Sequence, residues 1–298
     1  MAEDELIRVF LKAMKRAIFN EVVEWIESRL TINPSVDDIA CGVGYSRRFV
    51  YNLFHEHAGL PVGKYIRMRR MTLAAGKLKL TQQSISSIAC LLHFDSHQTF
   101  SREFKKTFGL SPGAYRDSTC WDMSLLYQKV APQGGGVPAP YLCFLEEQSF
   151  AGYGFNYTLS LTDDIATRKE VTRRKIAGGA TGADRDIYIL SACSPAAHNI
   201  YKTAINGFIG TPFNSWVASF REIRVAKRGL YLGLEFSGSW EEFIFLSNHV
   251  YLKYLPELGL YRREGYDIER FVPQENIALG NDRPFIPCII MSRSVIFR

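Results

Sequence analysis

The sequence predicts a protein of two domains. The first is all-α, with two helix-turn-helix units joined by a long helix; the second is α+β, a duplicated βαββ arrangement. Three observations carry this reading. A short apolar helix, a turn and an amphipathic helix occur twice at a near-constant offset. A run rich in glycine and proline follows them, and beyond it the pattern becomes strand-like and aromatic. A chain of 298 residues, 47% of them hydrophobic and 13% aromatic, suits two packed cores better than one and argues against disorder.

Taken in order, residues 5–30 read as a helix with Val22, Val23, Trp25, Ile26 and Leu30 on its apolar side. Asn33-Pro34-Ser35 ends it and starts the next. Val36–Cys41 is a short helix, Gly44 is available for a turn, and Ser46 can cap RRFVYNLFHEH. In that helix Phe49 or Val50, Leu53 and Phe54 form the core side, leaving Arg47, Arg48, Tyr51 and Asn52 outside. Pro61–Leu80 reads as a helix of about five turns, ~30 Å long, close to the ~34 Å between successive major-groove faces. Its Arg67, Arg69 and Arg70 either touch a nucleic-acid backbone or are solvated, with solvation expected for at least one.

Ile85–Ala89 then repeats the short helix, and Phe94–Arg116 carries the most informative stretch. Phe100, Phe104 and Phe108 recur at i, i+4, i+8, one apolar stripe. His97, Gln98, Ser101, Arg102, Lys105 and Lys106 are assigned to the opposite face. Asp95 or Ser96 can cap the start, Gly109 can take the left-handed stop, and Pro112 prevents continuation. A single amphipathic helix pair is unspecific. Here Ile39-Ala40 recurs as Ile88-Ala89 and Tyr45 as Phe94, 49 residues on, while Phe54 recurs as Phe104 at 50. The doubled pattern points to a groove-reading device, with Arg48, Tyr51, Asn52, His97, Gln98 and Arg102 toward base edges and Thr99 and Ser101 suited to phosphates.

Charge agrees with this. Residues 1–119 hold 17 Lys/Arg against 12 Asp/Glu, and the remainder 19 against 18, so the cationic surplus sits where phosphates would be met. No apolar run approaches the ~20 residues of a membrane span, and the acidic-then-basic N-terminus is not a signal peptide. The six cysteines form no C-x-x-C pair, which fits reduced thiols in a cytoplasmic protein and neither a disulfide framework nor a metal site. No cofactor and no metal are expected.

Residues 120–140 form the linker, its QKVAPQGGGVPAP portion a flexible hinge; Gly134–Gly136 lack the Lys-Ser/Thr of a phosphate loop. The C-terminal domain, 141–298, carries strand-like runs at Phe150–Leu159, Asp186–Cys193, Asn199–Phe208, Gly229–Ser237, Tyr266–Val272 and Phe285–Phe297. Helices are expected at Trp240–Leu255 and, more weakly, Asp163–Ile176.

From about Ala17 to Asp117 the chain resembles the DNA-binding domain of the AraC/XylS family. The resemblance rests on Phe94-Asp95-Ser96, Phe100, Phe104-Lys105, Gly109, Ser111-Pro112 and Tyr115-Arg116. Through GYS, GKYIRMRRM and FDSHQTFSREFKK it is similar to the MarA/SoxS/Rob group of transcription activators. That group usually has Trp at the position of Arg48 and Arg at that of Asn52, which implies a shifted preference in the first half-site. The resemblance implies promoter DNA and RNA polymerase as partners.

The segment from GLYLGLEFSGSW through Asp267-Ile268-Glu269-Arg270-Phe271 to Gly280–Pro284 resembles the GyrI-like effector-binding domains, which place a Glu on a late strand in their pocket. In a strand, Asp267, Glu269 and Phe271 share one face, as do Tyr153, Phe155 and Tyr157 on theirs. If Glu269 lines an aromatic cavity, with Trp240 contributing, a small amphipathic or cationic effector is favoured. Alternatively Glu269 pairs with Arg270, Arg262 or Arg263 at the surface, and the tyrosines and Phe155 are plain core. The C-terminal half could instead be a protein-interaction or hydrolytic module, with Glu269 and a Tyr as base; it has no G-x-S-x-G elbow and no metal spacing.

Overall fold

The computed structural model describes residues 2–119, 121–130, 138–160, 186–213, 222–238, 243, 246, 249–262, 265–271, 286–292 and 295–297. The chain forms two compact units, one helical and one built on a sheet.

The helical unit contains α1 (Ala2–Glu27), α2 (Val36–Val43), α3 (Arg47–Ala58), α4 (Val62–Leu80), α5 (Ile85–Leu91), α6 (His97–Phe108) and α7 (Pro112–Asp117). Its caps are those the residue types allow. Ser35 forms a reciprocal capping box with Asp38, and Ser46, Ser84 and Ser96 accept from Phe49, Ser87 and Thr99. Gly44 and Gly109 close α2 and α6 at φ 74° and 75°, a region open to glycine at no steric cost.

The repeat is present in the backbone itself. Tyr45 N donates to Ala40 O and Phe94 N to Ala89 O, both at 3.0 Å; Gly44 and His93 donate equivalently to Cys41 and Cys90. The offset then grows from 49 to 50 because Asp95 is an extra residue between Phe94 and Ser96, where Tyr45 is followed directly by Ser46. In the first unit, Phe19, Val22, Val23 and Ile26 of α1 close over Val50, Leu53 and Phe54 of α3 and Val62, Tyr65 and Ile66 of α4. Phe49 is only half-buried, stacked on Tyr45 at 4.8 Å. In the second, Phe100, Phe104, Phe108 and Tyr115 form one aromatic cluster with centroids 4.5–5.7 Å apart.

Of the arginines of α4, Arg67 is solvated, as expected for at least one, and the other two correct the expectation of solvated or backbone-touching groups. Arg69 is inside, forked onto both oxygens of Glu27 at 2.8 Å and donating to Tyr127 O at 2.6 Å. Arg70 is buried, donating to Leu92 O with its guanidinium 4.8 Å from the Phe94 ring centroid. Only Arg67 is exposed, 3.6 Å from Glu103. A planar fork on a helix interior can be satisfied by a carboxylate or a turn carbonyl, which a count of charges does not reveal.

The second unit is an eight-stranded sheet of order β1-β6-β9-β8-β3-β4-β2-β5, beside a two-stranded β7-β10 ribbon. The strands are β1 Tyr141–Leu145, β2 Gln148–Ser160, β3 Ile187–Pro195, β4 Lys202–Pro212, β5 Glu222–Ala226, β6 Gly229–Gly238, β7 Leu260–Arg262, β8 Asp267–Phe271, β9 Ile286–Ser292 and β10 Val295–Phe297. β4 lies between β2 and β3 as β9 lies between β6 and β8, and β3 meets β8 at the centre. The six expected strands are found, with three differences. β1, β5 and β7 were not expected, β4 starts later because Asn199 makes a turn with Tyr201 and Lys202, and the last run divides into β9 and β10. Val250–Tyr254 is a π-helical turn running into α8 (Leu255–Glu257), and with Phe243 and Leu246 it packs on Leu232 and Leu234 of β6. The expected helix at Asp163–Ile176, Gly134–Gly136, Trp240 and Gly280–Pro284 lie outside the described residues.

Candidate nucleic-acid interface and effector face

In α3 the buried side is Val50, Leu53 and Phe54. Arg48, Asn52 and His55 stand at i, i+4, i+7 on the opposite side and are all exposed. In α6, Gln98, Arg102 and Lys105 occupy the same three positions 50 residues on, also exposed, opposite Phe100, Phe104 and Phe108. The two helices therefore present matched polar stripes. His55 belongs to this set and was missed by sequence reasoning; the 50-residue offset from Lys105 was the signal.

The other candidates sit on the flanks. Tyr51 is 47% exposed, beside the α3 stripe. Arg47 is exposed but held by Asp37 at 2.7 Å, an exposed pair of at most about 1 kcal/mol that a phosphate can replace. His97 is exposed at the first position of α6, and Ser101 is half-buried; both positions fall toward the apolar side of the helix and not, as expected, opposite it. Thr99 is half-buried with its hydroxyl 3.0 Å from Ser96 Oγ, inside the cap. Lys106 is exposed next to the outward stripe.

Tyr115 and Arg116 explain the close of the Phe94–Arg116 stretch. Tyr115 packs edge-on to Phe104 at 5.2 Å, and Arg116 Nε donates to Leu78 O at 3.2 Å, satisfying a carbonyl in the last turn of α4.

In the sheet, register brings together two groups that the sequence placed only on their own strands. Glu269 pairs with Ile189, Ile189 with Ile209, and Ile209 with Tyr153. Asp267, Ser191, Gly207 and Phe155 make the adjacent row, and Cys193, Ile205 and Tyr157 lie beyond. Directly opposed residues share a face. Glu269, Asp267 and Phe271 thus lie on the same side as Tyr153, Phe155 and Tyr157.

Glu269 is 2% exposed, so it is not a surface carboxylate. Two of the arginines weighed as its partners are engaged elsewhere: Arg262 with Asp267 at 2.9 Å, and Arg270 with Asp186 at 2.7 Å. The third, Arg263, lies outside the described residues. Burial disfavours the charge on Arg262, but Asp267 more than offsets it, and Tyr251 lies 4.9 Å beneath the guanidinium. Tyr153 is half exposed and not core; Phe155 and Tyr157 are half-buried and stacked at 6.2 Å, 10° from parallel. Phe271 packs against Phe243 at 6.2 Å. A hollow of about 190 Å³ lies on the other face, lined by Phe150, Tyr188, Ile268 and Arg270.

No group of His, Cys, Asp and Glu among the described residues has the arrangement of a metal site. No described helix is long and apolar enough to cross a membrane.

Comparison with known proteins agrees with the helical geometry. A family model described as a helix-turn-helix domain matches residues 36–118, spanning both units. Right origin-binding protein of Escherichia coli K12 is 30% identical over 281 residues, covering 90% of this chain and 94% of that protein. The F1 operon positive regulatory protein of Yersinia pestis is 29% identical over 258 residues, 86% of this chain and 83% of that protein. The HTH-type transcriptional activator AarP of Providencia stuartii is 41% identical over 117 residues, 39% of this chain and 87% of that protein. The chain belongs to the AraC-type family of helix-turn-helix transcription regulators, in the group that includes right origin-binding protein.

Proposed function

We propose that this protein activates transcription by binding promoter DNA as a monomer, with α3 and α6 in successive major grooves. The observation that carries the reading is the pair of matched outward stripes, Arg48-Asn52-His55 and Gln98-Arg102-Lys105, on two helices joined to the same α4, α3 by packing and α6 through the Arg70 bond to the turn before it. At 19 residues α4 is ~28 Å long, close to one turn of DNA. Arginine forks onto guanine O6/N7 and asparagine onto adenine N6/N7, whereas Lys106 and Arg47 suit phosphates. RNA polymerase is the partner through which activation would pass.

Selection of bound DNA by the full-length protein tests this. It should return two unlike half-sites spaced by about 10 bp, bound by one copy. Because Arg48 and Asn52 stand where relatives usually carry Trp and Arg, the first half-site should differ from theirs. The double variant Arg48→Trp/Asn52→Arg should shift it back. A single half-site would overturn the two-groove reading.

The boundaries that go with this are 1–119 for DNA binding, 120–140 for the linker and 141–298 for regulation. The C-terminal unit is read as a GyrI-like effector domain made of two βαββ repeats, supported by the mirrored strand order about β3 and β8. Its effector is a small amphipathic or cationic molecule seated on the face shared by Glu269, Tyr153, Phe155 and Tyr157. A carboxylate withdrawn from water favours a cation that brings aromatic or apolar surface with it. A lipophilic quaternary cation should raise the melting temperature of the full-length protein, and Glu269→Gln should abolish the rise. A response to amphipathic acids alone, to a protein partner alone, or ester turnover lost in Glu269→Gln would replace this reading.

A further inference from the structure

The two helix-turn-helix units differ at one polar corner. Ser84, the cap of α5, stands 49 residues after Ser35, the cap of α2, so Ser86 takes the place of Asp37. His97 opens α6 as Arg47 opens α3, 50 residues apart, and His93 takes the place of Gly44. In the first unit Arg47 is held by Asp37 at 2.7 Å. In the second, a serine and a histidine stand where that ion pair would be, and both line an open hollow of about 500 Å³. Cys90, His93, Asp95 and Ser96 complete its wall, and it contains no Lys or Arg. Both imidazoles are exposed, as is Asp95. Arg70 of α4 is turned to the Leu92 carbonyl and the Phe94 ring, and Arg102 and Glu103 of α6 lie more than a turn further along.

A helix that enters a major groove carries its first turn past the phosphates flanking that groove. In the first unit a permanent cation, Arg47, stands at this point. Its counterpart in the second is a histidine, and another histidine shares the hollow. A neutral imidazole offers a phosphate one uncharged donor, whereas an imidazolium offers a charge-assisted hydrogen bond of about twice the strength. A phosphate beside the pair favours the protonated form in turn. Asp95 favours the same form and competes with the phosphate for it. We propose that His93 and His97 form a proton-dependent seat for a DNA backbone phosphate, so that the protein grips DNA more tightly as pH falls through the histidine range. The inference rests on entry of α6 into the groove and not on the effector reading.

Fluorescence anisotropy of the full-length protein on its selected duplex, at fixed salt from about pH 8 to about pH 6, tests it. Affinity should rise on the order of 10-fold, and the salt slope should steepen by about 2, one for each added charge. An unrelated duplex should show the same fold-rise, because a phosphate contact carries no sequence. Asparagine tolerates the left-handed backbone at position 93, so His93→Asn/His97→Gln should keep its helical circular dichroism at both ends of the range. That variant should reduce the rise to less than about 3-fold, the remainder belonging to His55, exposed on α3. His97→Arg should bind more tightly than the parent at the alkaline end and respond less to pH. Affinity that stays flat, a full rise retained by the double variant, or a rise confined to the selected sequence overturns the proposal. Absence of specific binding at every pH would overturn the promoter-binding reading as well.

Discussion

Arg69 and Arg70 are neighbours on α4, yet each holds a different helix-turn-helix unit. Arg69 is forked onto Glu27 of α1, and Tyr65 donates its hydroxyl to the same carboxylate at 2.6 Å. Arg70 reaches the Leu92 carbonyl, in the turn between α5 and α6. The long helix is thus bonded on one side to the first unit and on the other to the second. Packing of α3 on α4 completes the connection on the first side.

Removing Arg69 leaves Glu27 a mostly buried charge with the Tyr65 hydroxyl but no opposite charge beside it. Arg69→Met should therefore cost about 3–5 kcal/mol in urea unfolding. Lysine cannot form the fork, so Arg69→Lys should recover less than half of that. The double variant Glu27→Gln/Arg69→Met should be more stable than Arg69→Met alone, because the orphaned carboxylate is gone.

The turn of the second unit carries a strained residue that the first does not. His93 sits at φ 51°, where Gly44 occupies the equivalent position at φ 74°. A side chain in this region costs roughly 1–2 kcal/mol. His93→Gly should raise stability by about 1 kcal/mol, less the backbone entropy that glycine adds to the unfolded chain. A lower melting temperature in that variant would mean that the imidazole makes a compensating contact.

Acid should weaken the helical unit. His57 stacks on Phe19 at 5.1 Å, and its side chain is 8% exposed. Burial holds it below the ordinary histidine range; Glu56 opposes this, while Arg16, Lys15 and Lys12 add to it. The unfolded chain therefore takes up the proton first, and stability falls as pH drops below about 6.5. Burial lowers His249 of the sheet unit in the same direction. Urea midpoints measured from pH 8 to pH 5 should decline, with a shallower slope in His57→Phe and part of it retained through His249.

Base readers and phosphate contacts on the two stripes should separate by salt dependence. Asn52→Ala and Arg102→Ala should each cost about 1–3 kcal/mol at the selected site and relax preference at one position. Lys106→Ala should weaken all sequences alike and reduce the salt slope by about 1. Titrations by fluorescence anisotropy at several salt concentrations distinguish the two behaviours.

The helical half was legible because its signals are local. Serine caps, the glycine stops and the i, i+4, i+8 phenylalanines act within a few residues, and all fall where the sequence puts them. The roles of Arg69, Arg70 and Arg116 were not legible, since their partners Glu27, Leu92 and Leu78 lie 22–42 residues away. In α1 the sequence showed the apolar side of residues 22–30, and only the structure shows that Phe19 joins it while Phe10, Leu11 and Met14 are exposed. For the sheet, period-two alternation gave each strand's faces, and only the register showed that those of β2 and β8 are one face.

That shared face makes Gly207 the most informative position in the second unit. A methyl group there would fall 2.1 Å from the Phe155 ring, so the ring occupies the space over the glycine, and Tyr157 stacks on it. Gly207→Ala must displace Phe155 and undo the stack, at about 1–3 kcal/mol. If the aromatic row is the wall of an effector site, the displacement also removes the ligand-induced rise in melting temperature. Tyr153 is half exposed, so Tyr153→Ala should leave stability within about 0.5 kcal/mol of the parent while weakening the same ligand response. Loss of stability without loss of the response in Gly207→Ala would place the ligand away from this row, because the two effects share Phe155 as their cause.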